Sequence, residues 1–261
     1  MEQEEGGRSS GLSIPGRMMD VLVNHLLPAT CAGCGAVVVR AGGLCPDCWS
    51  SLRFLAPPLC ASCAVPLPLP PGEDRDEAVR CAACRADPPP FARAHAAVRY
   101  DEASRALLMR LKHGDRSELV PVLAALMVQA RGPHHPPPDA VVAVPLHPWR
   151  RMRRRYNQAG LLARAVAERL ARPYLPCALM RRRRTPSQGG LTAVQRRRNV
   201  AGAFAARREL VAGRRLLVVD DVMTTGATMR ALARTCLRAG AEAVEVLVFA
   251  RALPPGMRDA T

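Results

Sequence analysis

A chain of 261 residues that is 49% hydrophobic can bury a real core, and no apolar run reaches the roughly 18–20 residues of a membrane span, so wholesale disorder and a transmembrane helix are both excluded. The start is acidic (Glu2, Glu4, Glu5) and lacks the basic-then-apolar order of a signal peptide, so the expected location is cytoplasmic; disulfides are rare there, and ten cysteines ask for another role. The net charge of +16 is concentrated in residues 146–215, where 19 arginines face only Glu168 and Glu209, a local balance of +17.

The chain has 37 arginines and a single lysine, Lys112. Arginine-rich codon usage explains that ratio but not the scarcity of acids in the basic stretch. Such a stretch attracts polyanions, whether phosphorylated ligands or nucleic acid. A solvated basic face is the plain alternative.

In chain order, residues 1–30 read as a disordered N-terminus and a short amphipathic helix, Arg17–Leu27, with Met18, Val21, Leu22 and Leu26 on one face. Residues 31–90 repeat one device four times, Cys31–Cys34, Cys45–Cys48, Cys60–Cys63 and Cys81–Cys84, before the Pro88–Pro90 run. Thiolates at i and i+3 around a tight turn converge on one ion, and two such pairs complete a tetrahedral zinc site. The simplest assignment is two structural ions, one on Cys31, Cys34, Cys45 and Cys48 and one on Cys60, Cys63, Cys81 and Cys84; cross-braced pairing stays open. Four thiolates leave no open position for catalysis, and a module with so few apolar residues needs its metal to fold. Cys177 and Cys236 lie outside the pattern and read as core residues.

Residues 91–252 alternate strands with helices. Strands are expected at Ala96–Tyr100, Ala140–Pro145, Leu216–Val219 and Ala243–Ala250, and helices at Glu102–Lys112, Glu118–Arg131, Asn157–Leu170 and Thr228–Ala239. Continuous apolar strands between helices imply an α/β domain with a mostly parallel sheet. Residues 253–261 form a tail.

The strongest signal is LLVVDDVMTTGATM at Leu216–Met229. A buried strand delivers Asp220 and Asp221 at its C-terminal end, where α/β sheets place ligands. The Thr/Gly loop that follows opens a helix, and its backbone N–H groups make a phosphate cradle. Thr224, Thr225 and Thr228 add hydroxyls, and Gly226 allows close approach. Phosphate in the loop and a ribose diol on the carboxylates describe a sugar phosphate.

This segment resembles the signature that binds 5-phosphoribosyl 1-pyrophosphate (PRPP) in type I phosphoribosyltransferases, without departure. The resemblance implies that Thr224, Thr225, Gly226, Ala227 and Thr228 hold the 5-phosphate and that Asp220 and Asp221 hold the ribose hydroxyls. It also implies a magnesium ion on the pyrophosphate, held mainly by the ligand. Hypoxanthine-type members carry an Asp where Thr224 stands, so a 6-oxopurine acceptor is not expected.

Further stretches are similar to the ComF family of competence-associated, phosphoribosyltransferase-like proteins. They are the cysteine knuckles, Leu111-Lys112-His113-Gly114, Val144-Pro145-Leu146-His147-Pro148, Thr185-x-x-Gln188-x-x-Leu191 and Arg196-x-x-Asn199. The family's RGFNQ motif stands here as Arg154-Arg155-Tyr156-Asn157-Gln158, with Arg155 replacing its glycine. The implied fold is a type I phosphoribosyltransferase-like parallel sheet domain with a small N-terminal zinc-ribbon module. The loop containing Pro145, Leu146, His147 and Arg150 would face the pyrophosphate, and Arg154, Asn157 and Gln158 would open the next helix. Arg181–Asn199 corresponds to a mobile cover whose Thr185, Gln188, Arg196 and Asn199 reach the ligand.

Trp149 and Tyr156 bracket a run of arginines that includes Arg151, Arg153 and Arg155, a platform for single-stranded DNA or simply packing of the cover. His113 and His147 are possible proton acceptors, although a lone histidine is more often structural. Three functions fit. The first is a ComF-type protein that binds PRPP and handles single-stranded DNA in competence, with a helicase or other DNA-processing protein as partner. The second is a metabolic phosphoribosyltransferase with a small nitrogenous acceptor. The third is a non-catalytic zinc-ribbon adaptor with PRPP as regulatory ligand. The zinc module and the basic stretch favour the first; pentosyl transfer is expected, with the acceptor unidentified.

Overall fold

The computed structural model describes residues 29–39, 42–68, 79–113, 117–146, 157–183, 192–254 and 257. The expected helix at Arg17–Leu27 and most of the expected tail lie outside the described residues.

The two halves of the cysteine region fold alike. In each, the first Cys-x-x-Cys pair lies in a turn closed by an antiparallel bridge, Thr30 to Val37 and Leu59 to Pro66. The residue after the second cysteine has positive φ, 85° at Gly35 and 55° at Ala64. Its N–H returns to the carbonyl of the first cysteine at 2.9 Å and 3.0 Å. Glycine adopts that conformation freely, whereas an alanine there costs about 1 kcal/mol. The third cysteine then opens one helical turn: Cys45 precedes α1 (Pro46–Ser50) and Cys81 precedes α2 (Ala82–Ala86).

Beyond them, strand β1 (Arg93–Arg99) leads to helices α3 (Glu102–His113) and α4 (Leu119–Arg131), then β2 (Ala140–Ala143) and α5 (Gln158–Arg169). A hairpin of β3 (Leu179–Arg181) and β4 (Phe204–Ala206) encloses α6 (Ala193–Val200), and α7 (Arg208–Val211) precedes β5 (Arg215–Met223), α8 (Ala227–Arg238) and β6 (Ala243–Arg251). The main sheet runs β1-β6-β5-β2, with every pairing parallel. Helix α4 packs on β1 and β6, α5 packs on β2 and β5, and α8 packs on β6 with α6 and β4 against it. Helix α3 starts on a reciprocal cap, in which the Ser104 N–H donates to Asp101 Oδ1 at 3.0 Å and the Asp101 N–H donates to Ser104 Oγ at 2.9 Å.

Two strands are longer than the sequence predicts. Strand β1 begins at Arg93 because Arg93, Ala94 and His95 already pair with Glu245, Val246 and Leu247. Strand β5 does not end at Val219: it continues through both aspartates to Met223, paired with β6 at Asp220–Val248, Val222–Ala250 and Met223–Arg251. Cys236 is buried in α8 as expected, but Cys177 is exposed and is not a core residue. Part of the stretch expected as a mobile cover is regular structure, because Thr192 and Gln195 form a reciprocal cap at the start of α6.

The cysteine region and the sheet share one core. Ala32, Leu52 and Ala64 belong to the same buried cluster as Val98, Leu107 and Leu247. Residues 53–55 also run along the outer edge of β1, with the Leu55 N–H donating to the Ala97 carbonyl at 3.0 Å and the Arg99 N–H donating to the Arg53 carbonyl at 2.7 Å. Pairing that edge removes an exposed row of backbone groups. Among the described residues, no helix is long and apolar enough to cross a membrane.

Candidate functional site

Strand β5 lies inside the sheet, so its C-terminal end opens between two neighbours, and the two aspartates sit there. The Asp221 N–H donates to Asp220 Oδ1 at 2.9 Å. Burial, and after it the charge of Asp221, pushes the Asp220 carboxyl well above its ordinary range. Asp221 is paired with Lys112 of α3, Nζ to Oδ2 at 2.5 Å.

The loop after β5 opens α8 through Gly226, whose φ is 75°. A Cβ built there would meet only Met223 Sδ, at an ordinary 3.8 Å, so the conformation and not crowding selects glycine. The N-cap residue is this glycine, which has no side chain to cap the helix start. The positive end of the helix dipole therefore faces the end of β5, a setting that favours an anion.

Beside this end, the Val144 N–H donates to the Val219 carbonyl at 3.0 Å, which sets Pro145 and Leu146 next to the aspartates. Asn157 donates from Nδ2 to the Val144 carbonyl at 3.3 Å and begins α5. Among the described residues, the buried Asn157 Oδ1 and Gln158 Nε2 have no hydrogen-bond partner. That is costly for buried polar atoms and fits a polar ligand at the mouth of β2.

The cysteines form two compact clusters, Cys31 with Cys34, Cys45 and Cys48, and Cys60 with Cys63, Cys81 and Cys84. This is the sequential arrangement and not the cross-braced one. The Sγ atoms of Cys34 and Cys45 are 3.6 Å apart and those of Cys63 and Cys81 are 3.7 Å apart. A tetrahedron of Zn–S bonds of 2.3 Å has an edge of about 3.8 Å, so both clusters fit zinc. Backbone amides prepare the thiolates: Cys45 and Cys81 donate to Cys31 Sγ and Cys60 Sγ at 3.1 Å and 3.3 Å. Burial raises the Cys31 thiol, but N–H groups of Cys34, Cys45 and Gly33 outweigh it and bring it down to about 6. The Cys63 thiol, despite burial, brings Cys60 down to about 4 with help from backbone N–H groups, and Cys63 itself is pushed up. Thiols this close cannot all ionise without a cation among them.

Residues 22–85 match the double zinc ribbon domain, and residues 157–259 match the phosphoribosyl transferase domain. The chain is 35% identical over 217 residues to the DNA utilization protein YhgH of Salmonella typhi, spanning 81% of this chain and 91% of that one. It is 30% identical over 230 residues to competence protein F of Haemophilus influenzae, spanning 85% and 96%. The chain belongs to the ComF family. Among solved structures it is similar to an adenine phosphoribosyltransferase, with 14% identity and a TM-score of 0.35 over 56% of this chain and 75% of that one.

Of the ligand residues expected from the ComF resemblance, the structure brings Asp220, Asp221, Thr224–Thr228, Pro145, Leu146, Asn157 and Gln158 to the same end of the sheet. Asn199 lies in α6, which packs on α8. Arg196 is in the same helix, with only its backbone described. His147, Trp149, Arg150, Arg151, Arg153, Arg154, Arg155, Tyr156, Thr185 and Gln188 lie outside the described residues.

Two residues at the site were not assigned from sequence. Lys112 stands in the LKHG stretch, and a lone lysine among 37 arginines is a signal of specific need. Arg251, the polar end of an apolar strand, is 6% exposed and reaches under the loop that follows β5.

Proposed function

We propose that this ComF-family chain binds PRPP with magnesium at the end of β5 and couples that binding to single-stranded DNA handled during competence. The observation that carries the reading is the Asp220–Asp221 pair near the end of β5, followed after a short Thr/Gly loop by a helix whose N-cap is Gly226. The 5-phosphate takes the Thr224–Thr228 N–H groups, and the carboxylates accept hydrogen bonds from the ribose hydroxyls. Magnesium supplies charge neutralisation on the pyrophosphate and prefers phosphate and water ligands to a protein cage. Lys112, beside Asp221, adds positive charge next to a highly anionic ligand. The names of the relatives, a DNA utilization protein and a competence protein, support DNA as the partner of the +17 stretch.

The test is calorimetric titration of the zinc-loaded chain with magnesium and PRPP, with and without a single-stranded oligonucleotide. Asp220→Asn with Asp221→Asn is expected to weaken PRPP binding at least a hundredfold while circular dichroism stays unchanged. The oligonucleotide is expected to bind with an affinity that falls steeply with salt and to shift the PRPP affinity. Retained PRPP binding in the double variant overturns the site. A salt-independent response removes the DNA part.

A further inference from the structure

Two arginines outside the expected ligand set tie the phosphate loop to the second cysteine cluster. Arg251 donates from Nε to the Cys63 carbonyl at 2.9 Å. Its Nη1 donates to the carbonyls of Met223, at 3.1 Å, and Thr224. Arg230, in the first turn of α8, donates to the carbonyls of Asp87 at 2.6 Å and Pro88 at 3.2 Å, and its Nη1 lies 3.3 Å from the Asp87 carboxylate.

Cys63 belongs to one half of the second cluster, and Asp87 follows directly on α2, which carries Cys84 of the other half. A zinc ion held by all four thiolates would join those halves. The contacts then form a closed circuit, from the Thr224 carbonyl through Arg251, Cys63, the cluster, Cys84, Asp87 and Arg230 back to the start of α8. The first cluster approaches the sheet domain elsewhere, where a Cβ on Gly33 would lie 3.2 Å from Leu107 of α3.

Peptide planarity gives the circuit a consequence for ligand binding. In a trans peptide the C=O and the following N–H point in opposite directions. Holding the Thr224 carbonyl on Arg251, and the Met223 carbonyl on Arg251 together with the Ala252 N–H at 3.0 Å, therefore turns the N–H groups of Thr225 and Thr224 to the other side of the loop, away from the ribbon. Those N–H groups are cradle donors.

We propose that Arg251 and Arg230 are positioning residues for the phosphate loop, and that zinc on Cys60, Cys63, Cys81 and Cys84, not zinc on the first cluster, sets the loop's affinity for its phosphorylated ligand through them. The inference rests on the PRPP reading for its ligand but not for its mechanics.

The test uses the full zinc-loaded chain and reads zinc content, PRPP affinity with magnesium, and hydrogen exchange of the Asp221–Met229 amides. Arg251→Met is expected to weaken PRPP at least tenfold and to speed exchange at Thr224 and Thr225, with two zinc ions retained. Arg251→Lys keeps the charge without the planar fork and restores only part of the affinity. Arg230→Met, at the less buried end of the circuit, gives a smaller loss and covers the case in which Arg251→Met does not fold. Cys84→Ser is expected to reproduce the loss, and Cys34→Ser to cause a clearly smaller one. Unchanged affinity and exchange in both arginine variants, or equal losses from the two cysteine variants, overturns the proposal. If the parent binds no PRPP, the exchange data decide: faster loop exchange upholds the brace and removes only the PRPP reading, and unchanged exchange removes the brace.

Discussion

In the proposed PRPP site Asp220 holds a ribose diol best as a carboxylate, which accepts at both oxygens, yet burial and the charge of Asp221 hold its carboxyl well above the ordinary range before ligand arrives. On that reading binding releases a proton, and PRPP affinity should rise with pH across the interval from the ordinary carboxylate pKa to the raised one. Titration in buffers of different ionisation enthalpy should show that release, and a flat affinity profile would remove Asp220 from the ligand. The same shift works against the fold. A carboxyl raised on folding contributes stability below its unfolded pKa, and that stability is lost as pH rises through the folded value. Asp220→Asn should therefore gain about 1 kcal/mol at neutral pH by denaturant titration while losing PRPP, a trade between stability and function. These two aspartates and their loop were legible because they are contiguous in sequence. Lys112 and Arg251 were not, because only tertiary folding brings α3 and the end of β6 to the same place.

At the scale of elements, the end of α4 is fastened to β6 by buried charge. Arg131, 5% exposed, donates from Nε to Glu245 Oε2 at 3.1 Å, and His95 Nε2 of β1 lies 3.7 Å from the same oxygen. Burial works against the Glu245 carboxylate, but His95 and Arg131 outweigh it and hold its pKa below the ordinary range. Arg131→Met would strand that carboxylate and should cost about 3 kcal/mol in chemical denaturation, with Glu245→Gln recovering part in the double variant. A null cost would show that the pair contributes only geometry. The same kind of residue made the strands hard to delimit. Arg93 and His95 in β1, and Asp220 and Asp221 in β5, interrupt the apolar runs, yet their backbones complete the ladder, with Asp220 accepting from the Asp221 N–H and Asp221 paired to Lys112. The β3–β4 hairpin has three residues a side, too few for any period to show.

Across the whole molecule, two cysteine clusters and a four-stranded sheet share a single core, in which Ala32, Leu52 and Ala64 pack among the sheet and helix residues. Metal analysis should return about two zinc ions per chain, and strong chelation should lower the melting temperature of the entire chain and not of a detachable module. One ion or none would contradict the clusters as zinc sites. The fold class was legible because four Cys-x-x-Cys pairs and an alternating strand–helix pattern are local signals, but the shared core is not local. The order of the sheet bears on how this chain is made. Strand β1, near the first third of the chain, takes β6 as its partner, and β6 is inserted between β1 and β5. Arg251, the anchor for Cys63, lies 188 residues beyond it. Until the final strand leaves the ribosome, the nascent chain holds an unpaired strand and a ribbon without its anchor, both open to aggregation. A stop before Ala243 would thus yield a sticky fragment in place of a shorter working protein.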